Sequence, residues 1–273
     1  MGLYSLSKRN RAISFKTLRI IVKLSNVNWD KIEKNIISMR YGKRNFQSNV
    51  KFPIKIDKYL GSMIGHIIGD GSIDSKYMQV SFNNKDRDLI KEFDESIKKI
   101  FDITPRIWIQ KSGKFKIKNE WVKRINKIKD IPKDTQIGIF YPTLCGKILN
   151  IIFDNFVIGK EKKITKKILN TTKEFKITLI KAFFDDEGHL DKKRGPRFHQ
   201  DNIQVLTEIK KLIEDLGIHC CPIHNFFKKG KKRYFFNINH RNNYIPYYKI
   251  IGCTSKKKEK DLKNLIKNNK YVK

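Results

Sequence analysis

The chain has 273 residues, 39% of them hydrophobic, and carries 60 Lys and Arg against 27 Asp and Glu, a formal charge of +33. That apolar share supports a packed core and excludes a disordered polybasic chain, while the charge points to a polyanionic partner, most often nucleic acid. No apolar run reaches the roughly 18 residues of a membrane span, and the N-terminus lacks a signal-peptide core, so the sequence predicts a soluble cytoplasmic, nucleoid-associated protein with no membrane partner. The four cysteines (Cys145, Cys220, Cys221, Cys253) form no CxxC pair and fit a reducing compartment. His219, Cys220, Cys221 and His224 crowd together, but adjacent cysteines are poor zinc-ligand spacing and no second half-site appears, so they read as buried or strand residues.

Residues 1–50 read as a separate N-terminal helical element. Ser14–Leu24 is amphipathic, with Phe15, Leu18, Ile21 and Val22 on one side, and Trp29–Met39 is a second short helix after a polar turn. This pair suits a helix-turn-helix module or a packing appendage, and both readings stay open. Arg40–Lys55 is a basic connector.

Two segments then organise the chain: DKYLGSMIGHIIGDGSID from Asp57 to Asp74, and TTKEFKITLIKAFFDDEGHLD from Thr171 to Asp191. Each reads as an apolar helix that stops at an acidic residue followed by glycine. Thr171 and Glu174 have capping-box spacing, and Phe175, Leu179, Ala182, Phe183 and Asp186 fall on one helical face. Gly71 and Gly188 are expected to supply the left-handed residue that closes each helix. Asp70 and Glu187 thus sit at helix C-termini, where the macrodipole disfavours a bare anion and invites a cation. Gly65 and Gly69, with Ala182 in the equivalent place, allow the two helix backbones to approach closely and to bring the carboxylates together, as oxygen ligands for divalent metal.

The surroundings repeat as well. A strand (77–82 or 195–198), a polar pair (Asn83–Asn84 or His199–Gln200) and a helix (86–101 or 203–217) follow each motif helix, and two further strand-like stretches follow those. The interval between copies runs from 117 residues, Gly71 to Gly188, down to 115, Ile103 to Ile218. Copy one continues with a strand IGIFY and a helix from Pro142 to Phe153. Residues 51–158 form the first repeat, 159–171 a basic linker, and 172–273 the second repeat, ending in a basic helix from Thr254 whose role reads as solubilising surface.

Residues 63–71, MIGHIIGDG, and 180–188, IKAFFDDEG, resemble the paired motifs of LAGLIDADG homing endonucleases, of the free-standing, two-motif, monomeric, archaeal-like type. The first keeps the third-position glycine, the acidic eighth position and the final glycine. The second keeps Glu187 and Gly188, with Ala182 for the glycine and Asp186 where a small residue is usual; His66 and Lys181 depart similarly. The resemblance covers about residues 55–250 and implies an α+β fold of two pseudo-symmetric αββαββ repeats, with a central two-helix seam and a saddle of antiparallel sheets on DNA. It implies a site-specific, metal-dependent double-strand DNA endonuclease that leaves short 3′ overhangs and recognises a long pseudo-palindromic target as a monomer, of the kind carried by introns. Mg²⁺, replaceable by Mn²⁺, would be held by Asp70 and Glu187 with the carbonyls of Gly69 and Asp186, and basic residues of the turns, Lys114 or Lys118 and Lys231 or Lys232, would polarise the site. Groove-facing candidates are Gln79, Ser81, Asn83, Arg106, Trp108, Gln110 and Lys116 in copy one, and Arg194, Arg197, His199, Asn225, Lys228, Arg233 and Asn237 in copy two. The competing readings are a non-cleaving DNA-binding regulator or an intron RNA maturase on the same fold. An intein-embedded nuclease is disfavoured because the sequence lacks the Cys/Ser start and His-Asn end of splicing chemistry, and a lysine-rich structural protein is disfavoured by the repeat.

Overall fold

The computed structural model describes residues 13–25, 27–36, 38–40, 47–48, 50, 52–110, 121–125, 135–191, 194–238 and 241–268. The N-terminal element comprises α1 (Phe15–Ser25) and α2 (Trp29–Glu33), followed by the two-residue strands β1 (Met39–Arg40) and β2 (Gln47–Ser48), which pair antiparallel. Val22 is buried, but Ile20 and Leu24 of α1 stay exposed.

Copy one runs α3 (Lys58–Ile68), β3 (Ser72–Ile73), β4 (Val80–Asn84), α4 (Arg87–Phe101), β5 (Arg106–Gln110), β6 (Trp121–Ile125), β7 (Ile137–Tyr141) and α5 (Thr143–Ile152). The connecting stretch contributes β8 (Val157–Ile158), β9 (Glu161–Lys162) and α6 (Lys166–Leu169). Copy two runs α7 (Lys173–Glu187), β10 (Gly188–Asp191), β11 (Gly195–Gln200), α8 (Ile203–Glu214), β12 (His224–Lys228), β13 (Lys231–Asn237), α9 (Tyr244–Ile250) and α10 (Lys256–Lys267). The fold is therefore α+β and duplicated, as the repeat predicts.

Both sheets are antiparallel, in the orders β3-β4-β7-β5-β6 and β10-β11-β13-β12. Copy one is thus one strand wider. Its IGIFY strand returns between β4 and β5, where Ile137 and Ile139 are wholly buried, and this leaves β6 at the edge. The inner face of each sheet is apolar: Phe82 stacks on Phe93 in copy one, and Phe198 stacks on Phe236 in copy two, with centroids 4.8 Å and 4.9 Å apart. Alternation along a strand then sends the intervening residues to the outer face.

The motif helices α3 and α7 form the seam. Asp57 caps α3 by accepting from the Tyr59 and Leu60 amides at 3.0 Å and 3.2 Å. Thr172, rather than Thr171, caps α7, accepting from the Phe175 amide at 3.3 Å. Thr171 is still held by the turn that ends α6, its hydroxyl donating to the Ile168 carbonyl at 2.7 Å, so the expected capping box with Glu174 is out of frame. Gly61, Gly65 and Gly69 line the face of α3 against α7. A Cβ on Gly65 would lie 2.8 Å from the Ala182 Cβ, and one on Gly69 would lie 2.7 Å from the Asp186 Cβ. These glycines permit the backbone approach that the small-residue pattern anticipates.

The expected left-handed stop residues are a correction. Neither Gly71 nor Gly188 has positive φ; Gly188, at φ −95° and ψ 159°, leads directly into β10. Space is what they supply, since a Cβ on Gly71 would sit 2.8 Å from the Ile67 Cα and one on Gly188 2.6 Å from the Phe184 carbonyl oxygen.

Candidate nuclease site at the helix seam

Asp70 lies just past α3 and Glu187 ends α7, so the seam delivers both carboxylates to one place. Each receives an amide from the second strand after its own helix. Asn84 Nδ2 donates to Asp70 Oδ2 at 3.2 Å, and Gln200 Nε2 donates to Glu187 Oε1 at 3.3 Å. The polar pairs read from the sequence thus supply one orienting side chain per copy.

Asp70 keeps an edge open to solvent, but the protein packed around its carboxylate displaces water and, with the Asp186 and Glu187 carboxylates, pushes it up to about 7. Burial raises Glu187 too, with Lys162 pulling the other way. Crowded carboxylates that resist ionisation are what a bound cation would relieve. Asp186 Oδ1 is buried with no hydrogen-bond partner, a further acceptor open to a cation. The donor set is all hard oxygen, of the kind Mg²⁺ takes, with water and phosphate oxygens needed to complete it. Among the described residues no group of three His, Cys, Asp or Glu side chains forms a metal cage by itself.

Two lysines meet the motif ends. Lys162 of β9 donates its ammonium to the Gly69 carbonyl and feels the charges of Glu187, Asp70 and Asp186. Lys258 of α10 closes α7, donating to the carbonyls of Phe184, Asp185 and Gly188 at 2.9, 2.6 and 2.5 Å. Burial lowers the pKa of both. The Asp185 carboxylate in turn accepts the Thr254 and Ser255 amides ahead of α10 at 2.7 Å and 3.3 Å. The basic C-terminal helix is therefore fastened to the seam, and its half-buried Lys258 is a structural cation rather than free surface charge. Neither lysine stands out in a chain with 60 Lys and Arg; only the return of the chain to the seam selects them.

The departures from the motif form one buried cluster. His66 Nδ1 lies 3.0 Å from Asp186 Oδ2, both side chains fully buried, and His66 Nε2 lies 3.6 Å from Glu92 Oε2 on α4. Asp186 Oδ2 also accepts the Asp70 amide at 3.3 Å, and the Ser62 hydroxyl donates to Glu92 at 3.0 Å. Burial works against a charged imidazole, but the two carboxylates outweigh it and hold His66 up at about 10. Glu92 is held down to about 2, the His66 ring overcoming its burial. Lys181 lies 3.9 Å from Glu92.

The groove-facing candidates fall on the outer faces as follows. Ser81 and Asn83 alternate with Val80 and Phe82 on β4, but Ser81 is itself buried and shares a 2.8 Å hydroxyl contact with Ser72, so Asn83 is the half-exposed one of the two. Gln79 precedes β4, Arg106 and Trp108 alternate with Ile107 on β5, and Gln110 ends it. Lys114, Lys116 and Lys118 lie outside the described residues. In copy two, Arg197 and His199 flank buried Phe198, and Asn237 pairs with Arg197 across the strands. Arg194 is exposed before β11, Lys228 and Lys231 face each other at the exposed β12–β13 tip, and Asn225 alternates with Phe226 on β12. Arg197 is engaged internally: its Nε donates to Asn237 Oδ1 at 2.8 Å, and its Nη2 lies 3.3 Å from Asp191 Oδ2. Arg233 pairs with Asp201. No helix among the described residues is long and apolar enough to cross a membrane.

Residues 57–130 match the family described as the LAGLIDADG-like domain. Among solved structures, the chain is similar to I-DmoI in complex with DNA and Ca, at 16% identity over 77% of this chain and 98% of that one, with a TM-score of 0.50. It is also similar to I-DmoI in complex with DNA and Mn (18% identity, 72% and 98% covered, TM-score 0.49) and to full-length DUF199/WhiA from Thermatoga maritima (11%, 89% and 67%, 0.48). The first of these likenesses shows the fold.

Proposed function

We propose that this LAGLIDADG-family protein is a site-specific DNA endonuclease that cuts both strands of a duplex with the help of divalent metal. The observation that carries the reading is the pairing of Asp70 and Glu187 at one end of the seam, each with its own amide and each beside a lysine-bound helix end. One catalytic carboxylate per copy matches one scissile phosphate per strand.

In this reading Asp70 and Glu187 hold Mg²⁺, with Mn²⁺ as a substitute, helped by the Gly69 and Asp186 main chain. The bound ion would supply an acidified water and neutralise charge at the phosphate. Asn84 and Gln200 fix the carboxylate orientations, the role that outer hydrogen bonds play around metal ligands. Lys162 adds positive charge between the two carboxylates, where a phosphate oxygen would approach. The lysines of the β12–β13 tip, Lys228 and Lys231 included, and those of the 111–118 stretch, Lys114 and Lys116 included, hold the DNA backbone and make binding steeply salt-dependent. The outer sheet faces lie in the grooves of a long, pseudo-palindromic target bound by a monomer, and the bendability of its central base pairs adds discrimination.

A second reading rests on Lys162. Its ammonium already occupies the Gly69 carbonyl, a cation in place beside both carboxylates without any metal. That arrangement suits a regulator that binds DNA, or a maturase that binds intron RNA, without cutting. Exposing a randomised duplex library to the protein in Mg²⁺ or in EDTA, and sequencing the cut ends, separates the two. Metal-dependent double-strand breaks at one long site, with short 3′ overhangs, establish the endonuclease. Selective capture without breaks in either condition moves the function to binding.

A further inference from the structure

The two outer faces differ in chemistry. At corresponding positions, copy one has the buried Ser81 and the half-exposed Asn83, and copy two has the half-exposed Arg197 and His199. Around His199 the face is aromatic. His189 stacks on it with centroids 4.6 Å apart and planes 14° apart, Phe226 stands edge-on at 5.9 Å, and Phe235 lies 5.7 Å from Phe226. These rings, with Arg197 and Arg233, line an open pocket of about 500 Å³ that also contains Glu187.

The charge expected of this face is spent inside the protein. Arg197 is held by Asp191 and Asn237 and lies over Phe235, its Cζ 4.7 Å from the ring centroid. Arg233 is held by Asp201. Arg197, engaged through both Nε and Nη2, therefore lacks the free fork that reads guanine O6 and N7, and Arg233 has its charge paired with Asp201.

We infer that copy two reads its half of the DNA target through this aromatic platform, by apolar contact with thymine 5-methyl groups in the major groove next to the cut. Thymine is the base that offers an apolar group there. The occupant is duplex DNA because the platform runs into the Glu187 site and is edged by the basic tip at Lys228 and Lys231, in a chain of charge +33. The inference rests on the DNA-recognition part of the function proposed above, but not on cleavage.

The test uses binding alone, in Ca²⁺ or EDTA. Duplexes selected by the full chain from a randomised library are resynthesised with deoxyuridine at each thymine in turn, which removes one methyl group and leaves the base pair intact. Thymines on one side of the site's centre are expected to lose about fourfold in affinity each, the worth of one buried methyl, and those on the other side to change by less than twofold. Phe226→Ala and Phe235→Ala are then expected to bring the thymine-to-deoxyuridine ratio to about one while leaving weaker overall binding. Selected duplexes with no methyl-sensitive thymine overturn the inference and leave DNA recognition standing. Methyl sensitivity that persists unchanged in both variants also overturns it, and a library with no enrichment removes the recognition reading itself.

Discussion

The two motif helices carry different residues at matching positions, and the differences fit into one another. Copy one has Gly65, His66 and Gly69; copy two has Ala182, Phe183 and Asp186. Gly69 leaves a space that the Asp186 side chain fills. Asp186, once there, is buried and charged, which is costly without a partner. His66 of copy one supplies that partner. Phe183, facing no such acid, stays a core residue and stacks on Phe198 at 6.4 Å. Duplication preserved the carboxylate, the amide and the lysine-bound helix end in both copies, whereas the seam between them became asymmetric. The seam chemistry is therefore freer to drift than the site chemistry, provided each change finds its complement across the interface.

The largest effect should come from breaking the conserved half of that comparison. If the chain cuts duplex DNA as proposed, Asp70→Asn and Glu187→Gln are each expected to slow the cutting of one strand by at least about 10²–10³-fold, with opposite strands affected. On a duplex labelled at both ends, each variant should accumulate a nicked product. Wild-type rates on both strands in either variant would remove these carboxylates from the mechanism.

The asymmetric half is broken by making the copies alike. His66→Phe leaves Asp186 and Glu92 buried without their cation and should cost roughly 3–5 kcal/mol, read as a fall in midpoint in thermal or urea unfolding. His66→Phe with Asp186→Gly gives both motifs the same pair of residues and should recover most of that loss, because removing both partners of a buried pair is far cheaper than removing one. A double variant no more stable than the single one would mean that the pair is not the reason for the loss. The pH dependence has a defined sign. His66 is raised from 6.5 to about 10, so its contribution is complete below 6.5 and disappears as pH rises through about 10. Glu92 is lowered from 4.5 to about 2, so its contribution is complete above 4.5 and disappears as pH falls through about 2. The stability difference between wild type and His66→Phe should therefore be greatest between about pH 4.5 and 6.5.

Both motif helices, the interval between copies and the apolar inner faces were legible because each is set by local periodicity repeated once. The small-residue face was partly legible: Gly65, Gly69 and Ala182 stand out, but Gly61 needed the seam in view. The clustering of His66, Asp186 and Glu92 was not, since each looks like an isolated departure until three helices converge. Lys162 and Lys258 were hidden for the same reason, being ordinary lysines in lysine-rich stretches until the chain brings them to a helix end. Arg197 and Arg233 illustrate the reverse. Their type and strand position suggest base readers, but Asp191 at the end of β10 and Asp201 just after β11 pair with them. Sequence pattern locates a face well, yet which charges remain free on it is a property of three-dimensional pairing.

A middle-sized test probes how tightly the seam is set. Gly65→Ala places a Cβ against Ala182 and the Leu179 carbonyl, and should cost about 1–3 kcal/mol through overpacking, although alanine is the better helix former. The matching change, Ala182→Gly, creates no clash and should cost about 1 kcal/mol from helix propensity alone. Equal losses would show that the two helices yield equally, contrary to the glycine face seen on α3 only.

The smallest effects belong to the helix starts, and they ask whether the copies melt as one body. Asp57 caps α3 through two amides, and Thr172 caps α7 through one. Replacement of either by alanine should cost about 1 kcal/mol, with Asp57 the larger loss. If the seam couples the copies into one cooperative unit, each variant lowers a single unfolding transition seen alike by circular dichroism and by tryptophan fluorescence. If the copies unfold separately, Asp57→Ala lowers one transition and Thr172→Ala the other. The first outcome is expected, because Gly61, Gly65 and Gly69 of one copy lie against Phe175, Leu179 and Asp186 of the other, so neither helix can leave without exposing its partner's core face.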